Sequence, residues 1–210
     1  MARTYTSTVR NERAAANRSA VITAATRMFC DDGWTSTTMA GVAATSGLTR
    51  QTVYQQFDGK LALLDACIDN ALSEGRDIPV REMATYQTMG TGSLDDRVDA
   101  AASWLRAAHE RSARIQNVLD QAAVTDADAA SRLHVREQRR RDEVAFAVGL
   151  VAGGLTPAIP IDDAIVDSVW LLASRRQWLM LLDERGWSAD QWEQWFALHT
   201  RATLTLRPQS

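Results

Sequence analysis

Thr37-Thr38-Met39-Ala40-Gly41-Val42-Ala43-Ala44-Thr45-Ser46-Gly47-Leu48-Thr49, continuing into Arg50-Gln51-Thr52-Val53-Tyr54-Gln55-Gln56-Phe57, is the stretch that decides how this chain folds. Thr37 or Thr38 offers a hydroxyl to the uncapped N–H groups of a helix start. Met39, Val42 and Ala43 follow at helical spacing, and Gly47 supplies the positive φ of a tight turn between helices. Leu48 plugs the angle between them, and Thr49 caps a second helix of about two turns. So short a helix does not stand alone in water, because nucleation is costly. Val53 and Phe57 must hold it inward, which turns Arg50, Gln51, Thr52, Tyr54 and Gln55 outward. Arg and Gln match guanine and adenine edges in a major groove, while Thr and Tyr hydroxyls reach phosphates.

Around this unit the chain reads as all-α. Ala15, Ile22, Ala25 and Phe29 line one face of a helix from about Asn11 to Cys30, and Gly33 fits its stop. A fourth helix runs from about Asp58 to Glu74. Arg76–Ser93 reads as a connection. Further helices are expected over Leu94–Glu110, Arg111–Ala123 and Asp126–Ala152, the last stopped by Gly153, Gly154, Pro157 and Pro160. Another runs from Asp162 or Asp163 to about Glu184, and a final one from Ser188 to about Leu206. The expected layout is a three-helix helix-turn-helix domain over residues 1–66, with the motif itself at 38–57, and a helical body over residues 67–210.

A net charge of −3 counts against nucleic acid, but its distribution does not. Residues 1–60 carry seven bases and four acids, so this front is +3 and the remainder −6. Cys30 and Cys67 lack metal-type spacing and read as buried thiols in a reducing compartment. The polar N-terminus and the absence of a long apolar run point to a cytoplasmic chain. His109, His134 and His199 fall on different helices without metal-type pairing. Neither a catalytic constellation nor a cofactor motif is found, so an enzyme is not expected.

Arg18, Ile22, Ala25, Phe29, Gly33, Thr37-Thr38-Met39, Val42-Ala43, Gly47-Leu48-Thr49, Thr52-Val53-Tyr54, Phe57 and Lys60 together resemble the N-terminal domain of the TetR family of transcriptional regulators, over about residues 14–66. Gly186-Trp187-Ser188 is similar to the family as well, less specifically. The resemblance implies a homodimer on a pseudo-palindromic double-stranded DNA operator, usually as a repressor. It assigns Thr38, Tyr54 and Lys60 to phosphate, and Arg50 and Gln51 to bases. Lys60 is the only lysine in the chain. Gln51, Gln56, Gly59 and Leu61 depart from the usual family residues; with Gly59 in place, Asp58 is expected to take over the cap.

In the body, the resemblance implies a small-molecule effector. Tyr86, Met89, Trp104, His109, Phe146 and Trp170 are candidate pocket residues, with Tyr86 and Met89 as a lid. A mostly apolar, partly aromatic pocket favours a partly hydrophobic ligand. Arg106, Arg111 or Arg175 turned inward would point to an anion. Five of the seven tryptophans lie between residues 170 and 195. Trp178, Leu182, Trp192, Trp195 and Phe196 are accordingly expected in a dimer interface. Two other readings compete: an all-α small-molecule binding protein or enzyme that retains a helix-turn-helix-like front, and a ligand-independent DNA binder.

Overall fold

The computed structural model describes residues 2–76, 78–154 and 161–205, with side chains from Arg10 onward. Ten α-helices are formed among them: α1 (Ala2–Ser36), α2 (Met39–Ser46), α3 (Arg50–Tyr54), α4 (Gly59–Leu72), α5 (Ala84–Gln87), α6 (Leu94–Ala122), α7 (Ala127–Gly153), α8 (Asp163–Leu172), α9 (Arg175–Leu179) and α10 (Ala189–Thr205). No strand occurs among the described residues, and no described helix is long and apolar enough to cross a membrane. Pro157 and Pro160 lie outside the described residues.

The spine is α6, which packs against α1, α4, α7, α9 and α10. Its 29 residues form one helix where two were expected. No Gly or Pro interrupts the stretch around Glu110 and Arg111, and buried Ala108, Ser112, Ala113 and Ile115 carry the inward face through it. At its start Ser93 and Asp96 cap each other reciprocally, satisfying N–H groups that would otherwise have no acceptor.

Two apolar cores share this spine. In the first, Val21, Ile22, Ala25 and Phe29 of α1 meet Val42, Val53, Phe57, Leu63, Leu64 and Ile68. Ile115, Val118, Leu119 and Ala122 of α6 complete it. The front of the molecule therefore has no self-sufficient core of its own. The 66/67 boundary expected from sequence falls inside α4, whose continuous helix joins front to body. The second core gathers Met83, Tyr86, Met89, Val98, Val148, Val169, Trp178, Trp192 and Phe196.

This second core corrects the interface expected from sequence. Trp192 is 0% exposed, Phe196 3% and Trp178 4%, so these three rings are interior and unavailable to a partner. They build an aromatic stack, with Trp192 parallel to Phe196 at 5.2 Å and edge-on to Trp178 at 5.0 Å. Leu182 and Trp195 are half-buried. The long helix expected to reach Glu184 is broken at Ala173, where Ser174 starts α9 by accepting from Arg176 N–H. The chain then runs into a π-helical turn at Met180–Glu184. The connecting segment contains single turns at Val80–Glu82, Ala84–Gln87 and Thr88–Gly90 that press Met83, Tyr86 and Met89 inward. Cys67 is buried as expected, whereas Cys30 is exposed because it falls on the outer side of α1.

Candidate nucleic-acid interface and body cavity

The helix-turn-helix is built by short-range hydrogen bonds that hydroxyl and glycine residues dictate locally. Thr38 accepts from Gly41 N–H at 3.0 Å and caps α2. Thr37 is buried, its hydroxyl donating to the Gly33 carbonyl at 2.9 Å, so Thr38 alone is the cap. Gly47 sits at φ 70°, ψ 20°, and Leu48 N–H reaches back to the Ala43 carbonyl at 3.0 Å. Thr49 caps α3 by accepting from Thr52 N–H at 3.1 Å, and the two threonine hydroxyls meet at 2.8 Å. Asp58 holds the N-cap position of α4 but makes no side-chain cap hydrogen bond, contrary to expectation.

Only Val53 of α3 is buried, and Phe57 follows it inward. The helix covers Arg50–Tyr54, shorter than the Arg50–Phe57 expected. Arg50, Gln51, Tyr54 and Gln55 lie exposed, and Thr52 is half-buried. Tyr54 is 52% exposed, an unusual place for a large ring in a globular surface. Thr38 also faces outward, and since its oxygen accepts in the cap, its O–H proton is left to donate.

Two cationic side chains fasten this unit. Lys60 donates to the carbonyls of Trp34 and, at 2.9 Å, Thr37, and its ammonium lies 4.1 Å from the Trp34 ring centroid. Burial depresses its pKa. These contacts pin the end of α1 to the start of α4 and leave one of the three ammonium N–H groups for an outside acceptor. Arg18 donates to the Gln56 carbonyl at 3.3 Å and stacks 4.5 Å over the Phe57 ring, tying the far end of α3 to α1. Arg18 and Trp34 as fasteners were not legible in the sequence, because each acts on a residue 26 to 39 positions away.

In the body, α4, α6, α7, α8 and α10 together with the Pro79–Met89 segment enclose a cavity of about 490 Å³. Tyr86, Met89, Trp104 and His109 line it. Phe146 and Trp170 do not. Phe146 is exposed beneath the Arg81 guanidinium, and Trp170 sits under that of Arg140. Tyr86 and Met89 are wall residues, fully packed rather than a loose lid.

His109 is wedged between Trp178, stacked at 5.4 Å, and Trp192, edge-on at 5.2 Å. Burial, reinforced by the charges of Arg140 and Arg175, pushes its pKa down to about 3, and a hydrogen bond to the Ala173 backbone only partly opposes this. The ring is neutral at any physiological pH. Its Nε2 has no hydrogen-bond partner, nor do Trp104 Nε1 and Thr200 Oγ1 elsewhere in the wall.

Of the three arginines singled out by sequence, Arg175 alone lines the cavity. It is only 5% exposed, and forks onto Asp120 at 3.0 and 2.9 Å while also meeting Glu137. Arg106 is engaged by Asp190, Glu193 and Glu110, and Arg111 by Glu74.

A capped helix pair with a short, outward-facing polar second helix is a helix-turn-helix. Residues 21–67 match the family described as bacterial regulatory proteins, tetR family. A curated relative, the HTH-type transcriptional repressor BepR of Brucella suis biovar 1 (strain 1330), is 25% identical over 138 residues. That alignment spans 66% of each chain, just short of two thirds of the repressor's length. The crystal structure of a TetR-family transcriptional regulator from Rhodococcus sp. superposes with a TM-score of 0.65 at 17% identity, over 90% of this chain and 100% of that one. At that identity the superposition speaks for the fold alone. Over residues 21–67 the chain is thus similar to the tetR family of bacterial regulatory proteins, and its fold is that of a TetR-family regulator.

Proposed function

We propose that this protein is a ligand-responsive repressor that binds a pseudo-palindromic operator as a homodimer, through residues 1–66, and senses an effector through residues 67–210. The observation that carries the reading is the outer face of α3, where Arg50, Gln51, Tyr54 and Gln55 are exposed on a helix held rigidly from behind by Val53 and Phe57. None of the Arg50, Gln51 or Tyr54 side chains makes a hydrogen bond among the described residues, so all are available to a groove. In this arrangement Arg50, Gln51 and Gln55 face base edges, while Thr38, Thr49, Thr52, Tyr54 and the remaining Lys60 N–H group position the helix on phosphate.

The dimer would form along the outer faces of the last helices. Met180 is 45% exposed, Leu198 61%, and Leu182 and Trp195 are half-buried, an apolar set that a lone protomer leaves wet. Two copies so joined would set their α3 helices in successive major grooves about 34–36 Å apart.

The cavity supports effector control over a ligand-independent role. Its wall includes Ile68, Asp69 and Leu72 of α4, the helix whose first turn carries Lys60 and so grips α1. An effector that prefers a displaced α4 would move the helix-turn-helix with it and shift the population away from the DNA-matched spacing. Gel-shift titration with fragments from upstream of the gene tests the reading. Tight, salt-sensitive binding that Tyr54→Phe weakens similarly on every fragment is expected; indifference to that change would count against it.

A further inference from the structure

Charge on the cavity wall is accounted for within the protein. Arg81 forks onto Glu143 at 2.8 and 2.9 Å. Arg136 is held by Asp65 and Asp69. Arg140 donates to Glu137 at 3.0 Å, and Arg175 forks onto Asp120 at 3.0 and 2.9 Å. Arg176, which also reaches Asp120, is 63% exposed, and Arg139, the remaining arginine of the wall, is exposed as well. No buried charge is left to select an ionic ligand, although Arg175 lies inward. An ion entering here would exchange its hydration for a mostly apolar surface without gaining a counter-charge.

Neutral hydrogen-bonding groups of the wall, by contrast, are unmet. His109 Nε2, Trp104 Nε1 and Thr200 Oγ1 belong to wall residues and have no partner among the described residues. Buried polar atoms without partners are few and costly, so several around one cavity point to a molecule that enters it. His109 is the most sharply defined of them. It is 6% exposed and fixed between Trp178 and Trp192. Its hydrogen bond to the Ala173 backbone engages the other ring nitrogen as donor, since Nε2 is unpartnered. In a neutral imidazole Nε2 is then a bare acceptor, and it calls for a donor. Trp104 Nε1–H and Thr200 Oγ1 are available to a second polar atom of the same molecule. Leu72, Val80, Leu105, Val144, Val148 and Leu204 supply an apolar lining for the rest.

We infer that the cavity takes an uncharged ligand with an apolar body and a hydroxyl group, the hydroxyl donating to His109 Nε2. The inference rests on the effector reading above and sharpens it to a ligand class. A carboxylate would set a lone pair against the lone pair of Nε2. An ether or a hydrocarbon would leave that nitrogen unpaired.

Calorimetric titration of the full chain with para-butylphenol, its methyl ether para-butylanisole, and para-butylbenzoate tests this. The compounds share ring and tail, and only the phenol is uncharged and carries a donor. A neutral hydrogen bond is worth roughly three- to tenfold in affinity. The phenol is therefore expected to bind at least about threefold tighter than either the ether or the benzoate. His109→Phe keeps an aromatic ring between Trp178 and Trp192 but removes the acceptor, and should bring phenol and ether within about twofold. His109→Leu makes the same comparison should that variant not fold. Ether bound as tightly as phenol by the wild type, or benzoate bound more tightly, would overturn the inference while leaving a cavity effector intact. So would a preference for phenol undiminished in a folded variant, which would trace it to the bulk of the ether methyl. If none of the compounds binds while operator binding is normal, the effector reading falls with it.

Discussion

Acidification should weaken this fold through one residue, His109. The unfolded chain binds a proton there near pH 6.5, the folded chain only near 3, because the ring is sealed between Trp178 and Trp192. Between those values the unfolded state holds more protons, so stability present above pH 6.5 is lost as pH falls toward 3. Each pH unit in that window costs about 1.4 kcal/mol, and lowering the pH to about 5 should therefore remove about 2 kcal/mol. With a urea dependence of ~2–3 kcal/mol per molar, the unfolding midpoint should drop by roughly 0.7–1 M. The assay is urea unfolding followed by circular dichroism at about pH 7.5 and pH 5, at one protein concentration because subunit association adds to apparent stability. His109→Gln cannot gain that proton and should lose much less of its midpoint over the same interval. The other two histidines, His134 and His199, are exposed and remain in both proteins. An equal drop in wild type and variant would refute the reasoning.

Trp192→Ala should cost about 3–5 kcal/mol in urea unfolding, as for other fully buried large rings; a loss below about 1 kcal/mol would return Trp192 to the surface. Leu198→Glu, on the exposed face of α10, should instead leave the helical signal unchanged and halve the mass measured by light scattering; an unchanged dimer would move the interface elsewhere. Gly47→Ala meets no neighbour within 4 Å of the added Cβ, so its cost is backbone strain alone. About 1–2 kcal/mol is expected, read as a fall of several degrees in thermal midpoint, and no change would mean that the turn can adopt another conformation.

The front of the molecule was legible because its determinants are local. Thr38 and Thr49 cap groups three residues away, Gly47 turns the chain between neighbouring helices, and Val53 and Phe57 lie four apart. Such spacings are written in the sequence directly. The body was legible only in part. Tyr86, Met89, Trp104 and His109 reached the cavity, but Phe146 and Trp170 were taken by arginines from other helices, which helical periodicity does not show. Aromatic enrichment near the C-terminus signalled burial correctly and its cause wrongly. Trp178, Trp192 and Phe196 fill the protomer's own interior, because the break at Ala173 and Ser174 folds α9 back on α6 and α10. The ion-pair cluster of Arg140 and Arg175 with Asp120 and Glu137 is drawn from three helices, and only the fold assembles it.

The central claim is that the exposed face of α3 reads sequence. Fluorescence anisotropy of wild type and Gln51→Ala on a duplex selected from random DNA, and on its scrambled counterpart, tests it at a single salt concentration. Gln51 is uncharged, so its loss leaves the general attraction to phosphate alone. The wild type should prefer the selected duplex by a factor of roughly a thousand or more. Gln51→Ala should reduce that preference by about 5–150-fold, the worth of one bidentate base contact, with scrambled-duplex affinity unchanged. Equal binding of both duplexes by the wild type, or an undiminished preference in the variant, would contradict the account.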